Sequence, residues 1–349
     1  MNGRIGHLSL IAGLAAGLNA AASGQTLDQS RAYSSELLSD ASSRTSSLAP
    51  AAKDFTVNVH GFTQFRYNWN YRQDDALEDN STVGFQNART KINLSGNIAD
   101  EKWGYYIQWK FEDPSEGSAA LDDVYGTYTV GNGWKVQFGQ FKVNLFREEN
   151  MGDTTQLFAN RSVENSVFSQ KRSQGVQFAY ESDSVQFFGA FTDGINTANT
   201  DFTSSKEADW ALTGRVNWKW AGDWKQGKDF TSFRNSSYFG LLGGGVHYQQ
   251  GGDTFGTLDT DVLAATIDAQ VEGNGWNVFA ALCYSNTDPG VGDSVTDYGF
   301  VVQGGIFVSE DSRAGTCCSP TATAPPTTTS ARSVSARTTT SFPKATRSS

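Results

Sequence analysis

From Phe55 onward, apolar and polar side chains alternate along the chain with a period of two. In the first such stretch, Val57 and Val59 share one face and Asn58 and His60 share the other. This period is the signature of a β-strand with one apolar face. Twelve stretches of this kind predict strands at 55–69, 83–98, 102–113, 122–130, 134–143, 174–181, 184–192, 207–220, 237–249, 259–272, 276–285 and 297–308.

The predicted strands are long, and the connections between them alternate in length. A strand of a soluble protein averages about 5–6 residues, whereas a tilted strand needs about 9–11 residues to cross a bilayer. Most stretches here reach the second length. Short turns alternate with long loops, as in barrels with periplasmic turns and external loops. The short ones are 99–101, 131–133, 182–183 and 273–275, and the long ones are 70–82, 114–121, 144–173, 193–206, 250–258 and 286–296.

These features predict an all-β fold, an antiparallel transmembrane β-barrel. Aromatic residues near strand ends, such as Trp69, Trp103 and Trp276, suit the girdles of such a barrel. A soluble β-sandwich is the alternative, because it shows the same alternation with its apolar face buried. One connection, 221–236, falls where a short turn is expected and is long; the sequence offers no reason beyond an insertion.

Composition narrows the function classes. The 349 residues include 36 Gly and only 7 Pro, and 13% are aromatic. Because no apolar run of 18 or more residues lies beyond the N-terminus, a helical membrane protein is excluded. The formal charge of −10 argues against a nucleic-acid partner. The three cysteines, Cys283, Cys317 and Cys318, do not form a disulfide framework or a zinc motif.

The segment before the strands predicts export. Arg4 precedes an apolar run and a group of small residues, so residues 1–24 are predicted to be a signal peptide. Residues 25–53 are Ser-rich and predict a short periplasmic helix or linker, with a disordered spacer as the alternative. Residues 54–308 are predicted to form the barrel domain, which holds twelve readable strands and is incomplete.

The last segment, residues 309–349, differs from the rest. From Ser312 onward, 18 of 38 residues are Ser or Thr, five are basic and none is acidic. No period-two apolar face continues, so the segment predicts no closing strand. It is interpreted as a low-complexity tail, and the preferred hypothesis is a shift of the reading frame between Ser309 and Arg313.

Residues 134–149 carry a family resemblance. Gly139, Gln140, Phe141 and Lys142 end a strand that leads into a long loop with Glu148 and Glu149. Together with the pattern from Phe85 to Lys91, this resembles the phosphate-selective porin O/P family over roughly residues 54–308; Asn144 stands where the family often has Pro. The resemblance implies a sixteen-stranded, trimeric outer-membrane channel whose lumen is narrowed by the 144–173 loop.

The chemistry of such a channel is electrostatic. Rings of fixed charge select ions at a constriction. The candidates for lining the pore and guiding anions are Lys142, Arg147, Arg161, Lys171, Arg172, Arg66, Arg89, Lys91 and Lys110; Arg215 and Lys219 share polar strand faces with them. The alternative for most of these residues is ordinary wall charge paired with Asp and Glu. Lys142 and Arg147 stand apart, because they lie at the root of the loop.

The predicted function is passive diffusion of small solutes, with anions such as phosphate as the selective case, across the outer membrane. The expected partners are outer-membrane lipid, the solutes and two further copies in a homotrimer; no cofactor, metal or catalytic residue is expected. Two alternatives remain. A barrel could act as an anchor or adhesin through its loops, and a barrel hydrolase would need a Ser–His pair in the fold.

Overall fold

A computed structural model describes residues 55–72, 80–111, 118–254 and 258–308, together with the backbone of 313–318, 321–323 and 337–339. The predicted signal peptide and N-terminal helix or linker lie outside the described residues. Twelve long strands follow one another: β1 Asn58–Arg72, β2 Asn80–Ile98, β3 Asp100–Lys110, β4 Ala120–Gly131, β5 Trp134–Lys142, β6 Arg172–Glu181, β7 Val185–Thr192, β8 Trp210–Ala221, β9 Phe239–Gln250, β10 Thr260–Gly273, β11 Trp276–Pro289 and β12 Val295–Phe307.

All twelve strands belong to one sheet, and each pairs antiparallel with its neighbours in the chain. All twelve predicted strands are therefore confirmed, with shifted ends. The largest shift is in β11, which runs to Pro289 because Thr260, the first residue of β10, pairs with it. The tight turns follow from residues that accept positive φ, such as Asn274 (φ 41°) and Gly275 (φ 88°) between β10 and β11.

The outer face of the sheet is apolar and exposed. On β8, Leu212, Val216 and Trp218 are about half exposed, whereas Arg215 and Asn217 between them are buried. The same alternation recurs on β10, where Leu263 and Ile267 face outward and Asp268, Gln270 and Glu272 are buried. A soluble sandwich requires the opposite arrangement, so this pattern excludes it and indicates a lipid-facing surface.

The edges of the sheet differ from the sequence prediction. Three short strands, β13 Arg313–Cys318, β14 Thr321–Thr323 and β15 Arg337–Thr339, lie in the segment for which no strand was predicted. β13 and β14 pair with β12, and β15 pairs with β13. The free edge of β12 offers backbone donors and acceptors that any sequence can pair with, so a period-two pattern is not required. In the described part of the chain β1 pairs only with β2, and the sheet is not closed.

Within the described residues, helices are few and short. Helix α1 spans Arg147–Asn150, α2 spans Val163–Phe168, and a 3₁₀ turn spans Gln226–Lys228. No helix within the described residues has the length and apolar character needed to span a bilayer. Both α-helices lie in the connection between β5 and β6.

Candidate solute passage in the lumen

The connection between β5 and β6, residues 143–171, lies on the concave face of the sheet. Arg66 of β1 donates a hydrogen bond to Asn160 Oδ1 at 2.9 Å. Phe168, at the end of α2, packs in one apolar cluster with Val301 of β12. Strands at both ends of the sheet therefore contact the same loop, so the sheet curves around it. The loop that was predicted to fold into the lumen does so.

The family motif at the end of β5 fixes the root of this loop. Gly139 has φ +123°, and a Cβ at this position would collide with the carbonyl oxygen of Val124 on β4. Only glycine fits such a conformation and such a close approach. Gln140 is buried; its Oε1 accepts from the backbone N–H of Asn199 at 2.7 Å. The motif therefore has a structural role, since it joins the ends of three connections to the wall.

Ion pairs attach the loop to the wall. In the loop, Asp153 Oδ2 lies 2.8 Å from Lys91 Nζ of β2, and Asp153 Oδ1 lies 2.6 Å from Arg161 Nη1. Lys91 also lies 2.7 Å from Asp122 Oδ2 of β4. Burial by itself raises the pKa of Asp153, but the attraction to Arg161 and Lys91 outweighs it and holds that pKa well below its usual range.

A second set of ion pairs lies beside the first. Arg172 Nε donates to Asp123 Oδ1 at 2.9 Å, and its Nη2 lies 2.8 Å from Asp122 Oδ2. Lys142 Nζ lies 3.6 Å from Glu149 Oε1 and donates to the Glu149 carbonyl at 2.8 Å. Burial tends to raise the pKa of Glu149, but the positive charges, Lys142 foremost, leave it below its usual value.

Together these side chains form an ion-pair network of four basic and four acidic groups. Its members are Lys91, Lys142, Arg161, Arg172, Asp122, Asp123, Asp153 and Glu149. The charges balance, and nearly all are shielded from solvent. The network therefore adds little net field to the lumen and serves to hold the loop in place.

Helix α1 is anchored differently. Arg147 Nε and Nη2 donate to Gln270 Oε1 of β10 at 3.0 and 2.8 Å, and Nη2 donates to the Gly227 carbonyl at 2.6 Å. Burial lowers the pKa of Arg147 to about 10, so its guanidinium stays charged at neutral pH. Burial also raises the pKa of Glu148, against the hydrogen bonds that it accepts from Ser162.

The connection between β8 and β9, residues 222–238, also enters the lumen. It leaves the sheet at the end that carries the short turns. The backbone N–H of Phe230 donates to the carbonyl of Thr155 in the loop at 3.0 Å, and Gln270 Nε2 donates to the Asp229 carbonyl at 2.7 Å. This explains why the chain is long at this position: the extra residues reach the loop instead of turning back at the rim.

Phe230 completes an apolar cluster in the lumen. Its ring lies 4.7 Å from that of Phe279 on β11. We call this region the apolar half; its members are Phe146, Met151, Leu157, Phe158, Phe168, Phe230, Phe279, Ala281, Cys283 and Val301. Except for Phe158, which is partly buried, these residues are buried. These side chains pack between the loop and the part of the wall formed by β11 and β12.

The opposite side of the loop, facing β1–β6, holds open space. A cavity of about 550 Å³ is lined by amide, phenol and charged side chains, among them Asn93, Gln137 and Asn144. The rings of Tyr106 and Tyr125 stack in its wall with centroids 5.2 Å apart. We call this region, together with the ion-pair network at its edge, the polar half. It is the candidate passage for solutes.

The other basic residues that were predicted to line the pore lie in different parts of the sheet and at its rim. Arg66 bonds to Gln86 and Asn160, and Arg89 bonds to Gln64 Oε1 at 3.3 Å and to the Ala159 carbonyl at 3.2 Å; within the described residues neither has a carboxylate within 4 Å. Lys171 is exposed at φ 57° on the rim. Lys110 ends β3. Arg215 pairs with Asp268 at 2.8 Å, and Lys219 lies over the Trp224 ring.

Sequence reasoning left open that the basic residues pair with Asp and Glu, but it did not single out Asp122 and Asp123 as their partners. Asp122 and Asp123 are adjacent, and a regular strand would place them on opposite faces. A register shift at Gln108/Trp109 of β3 marks a bulge in the pairing of β3 with β4, and both carboxylates are buried against the lumen. The sequence did offer one signal. Two adjacent acidic residues begin the predicted strand 122–130, and the segment 135–172 that follows holds six basic residues that could pair with them. Gln270 carried no signal, because its role depends on the loop that it meets.

An antiparallel sheet with a lipid-facing apolar surface, a polar concave face and an inward-folded loop defines the class of outer-membrane β-barrel channels. A model of the family described as phosphate-selective porin O and P matches residues 61–288. The chain belongs to this family, and the resemblance inferred from the motif at Gly139 is confirmed. It is therefore an outer-membrane porin.

Solved structures share the fold. The chain is similar to the anion-selective porin from Comamonas acidovorans, with a TM-score of 0.54, 12% identity and coverage of 77% of this chain and 80% of that one. It is also similar to the outer membrane channel DcaP of Acinetobacter baumannii, with a TM-score of 0.51, 16% identity and coverage of 78% and 80%. Among curated proteins there is no significant match.

Proposed function

We propose that this porin lets small anions, phosphate among them, diffuse passively through the polar half of the lumen. The carrying observation is the placement of Arg66 and Arg89. Both guanidinium groups face the loop and are held by amides and carbonyls, so no carboxylate of the described residues neutralises them by direct contact. Fixed positive charge of this kind attracts anions into a narrow aqueous space.

The balanced ion-pair network supports this assignment by elimination. Lys91, Lys142, Arg161 and Arg172 are matched by carboxylates at hydrogen-bond or ion-pair distance. Their charge is used to fix the loop. The selectivity that remains is proposed to come from the two arginines on β1 and β2.

The inward position of the loop favours a channel over an adhesin. Residues 143–171 are the longest connection, and much of this loop is buried against the wall or the apolar cluster. A loop held inside the sheet is not available to contact a partner at the cell surface. We further propose that the chain acts as a homotrimer, as the family resemblance implies, without cofactor or enzymatic activity.

The reading frame of residues 309–349 is a separate proposal. The loss of acidic residues after Asp311 supports a shift of frame near this position. An unclosed sheet would expose backbone groups at both edges to lipid, which is costly. Resequencing the gene tests the proposal, and an intact frame with the same tail would contradict it.

The function is tested by the reversal potential of the purified chain in a planar bilayer under a potassium chloride gradient. We expect an anion-selective sign, and we expect the double variant Arg66→Gln/Arg89→Gln to shift it toward zero. Lys102→Gln is the matched control, because Lys102 is exposed beside a short turn. A cation-selective potential, or a double variant that behaves as the control does, would overturn the proposal.

A further inference from the structure

A second cavity, of about 430 Å³, lies where the loop meets the β8–β9 connection. It lies within the range of about 300–1,000 Å³ typical of ligand pockets. Both lumen cavities touch Asn144, Asn150 and Gly152, so this stretch of the loop borders each of them. The second cavity therefore lies next along the candidate passage, toward the end of the sheet that carries the short turns.

The charge of this cavity is one-sided. Its lining contains Arg147, Arg215 and Lys228, and no carboxylate of the described residues lines it. The larger cavity differs, because Asp123 and Asp153 line it beside Lys142 and Arg172. The polar side chains of this lining are basic, amide and hydroxyl groups, which can donate hydrogen bonds to an anion, and apolar side chains such as Trp224 and Leu241 form the rest.

Two of the three basic groups are not neutralised by direct contact. Arg215 Nη2 lies 2.8 Å from Asp268 Oδ1 and is compensated. Arg147 is held by the neutral acceptors Gln270 and Gly227, and no described residue accepts from its Nη1. Asp268 and Glu272 of β10 attract Arg147 electrostatically but do not line the cavity.

Lys228 is the most exposed of the three basic residues. It ends the 3₁₀ turn of the inserted connection, its side chain is exposed, and no described acceptor bonds to its ammonium group. Gly227, the residue before it, is fixed by Arg147 at 2.6 Å. The insertion therefore brings an exposed positive charge near a buried one.

We propose that the β8–β9 connection is a second selectivity element of the porin, in which Lys228 and Arg147 form a site for small oxyanions such as inorganic phosphate. This inference rests on the proposed anion passage and adds a place within it. A tetrahedral oxyanion accepts hydrogen bonds from a guanidinium and an ammonium group at once, and the amides of Asn144 and Asn150 line the same cavity.

The test is the block of chloride current through the full chain by inorganic phosphate in a planar bilayer. We expect phosphate to reduce the wild-type current. We expect Lys228→Gln to raise the half-blocking concentration by about tenfold, since a hydrogen bond to a charged group is lost. Lys225→Gln is the matched control, because Lys225 is exposed one turn earlier and does not line the cavity.

The outcomes separate this site from the porin function. An anion-selective wild-type current that phosphate does not block overturns the site and leaves the proposed function standing. Equal block in Lys228→Gln and Lys225→Gln overturns the site as well. Absence of any conductance, both from the chain as given and from the chain with its reading frame restored, overturns both. Arg147→Lys, which keeps the charge, is expected to retain more of the block than Arg147→Gln.

Discussion

The two halves of the lumen are built against the same curved sheet and are filled with opposite chemistry. In the polar half, charged side chains fix the loop to β2 and β5, join β4 to β6 and leave a cavity of about 550 Å³. In the apolar half, aromatic rings from the loop and from the β8–β9 connection pack against β11 and β12. The comparison shows that one loop has two structural roles. It packs against β11 and β12 on one side, and it borders the candidate passage on the other.

Removing a ring from the apolar half is expected to have the largest effect on stability. Phe230→Ala deletes a fully buried side chain whose ring packs at a tilt against that of Phe279. We expect a loss of about 4 kcal/mol in the free energy of unfolding, measured by urea denaturation in detergent. Phe233→Ala is the control in the same connection, because Phe233 is about half exposed. Equal losses in the two variants would contradict a packed apolar half.

Breaking the ion-pair network is expected to act on the loop rather than on the sheet. Asp153→Asn leaves Lys91 and Arg161 without a shared carboxylate. We expect the loop to detach more readily by about 3 kcal/mol, since two buried cations each lose one of their two carboxylate partners. Amide hydrogen exchange of residues 143–171 measures this. Asp183→Asn, at an exposed turn, is the control, and unchanged exchange in Asp153→Asn would refute the role of the network.

Lowering the pH below about 4 is expected to release the loop from the wall. The pKa values of Asp153 and Glu149 are lowered in the folded protein, so both carboxylates contribute stability above the ordinary carboxyl pKa of about 4. This contribution is lost as the pH falls through the lower folded values. Glu148, whose pKa is raised, acts in the opposite sense. Opening of the loop, measured as amide exchange relative to the unprotected rate at the same pH, is expected to stay rare from pH 7 to about pH 4 and to rise below it; a rise already at pH 6 would contradict this assignment.

The smallest expected effect on stability is at the root of the loop. Gly139→Ala places a Cβ against the carbonyl of Val124 at a positive φ. We expect a loss of about 2 kcal/mol, because the strained backbone has to shift. Gly214→Ala on β8 is the control, since a Cβ there meets open space. A thermal unfolding scan that ranks the two variants equally would refute the tight approach of β4 and β5.

The strands were predictable because their signal is local. A period of two fixes the two faces of β8 or β10 from the residues of that strand alone, and the family motif at Gly139 pointed to the loop that follows. The partners in the lumen were not predictable in this way. The bulge that aligns Asp122 with Asp123 depends on the pairing of two strands, and the course of 222–238 depends on a loop about 70 residues earlier in the chain.

The short strands after Asp311 escaped prediction for a related reason. β13 pairs with β12 through backbone groups, and the amino-acid sequence of 313–318 shows no alternation of apolar and polar residues. Side-chain patterns predict the faces of a strand, but an open edge can pair with a segment of any composition.

The central claim is that solutes pass through the polar half while the apolar half is closed to water. Thiol labelling during conductance measurement tests it most directly, in a chain with Cys317→Ser and Cys318→Ser. The account predicts that a charged methanethiosulfonate reagent leaves the current unchanged, because Cys283 is buried in the apolar half. It predicts a sharp fall in current once Gln137→Cys places a thiol in the polar cavity. Modification of Cys283, or an unaffected current in the Gln137→Cys chain, would contradict the claim.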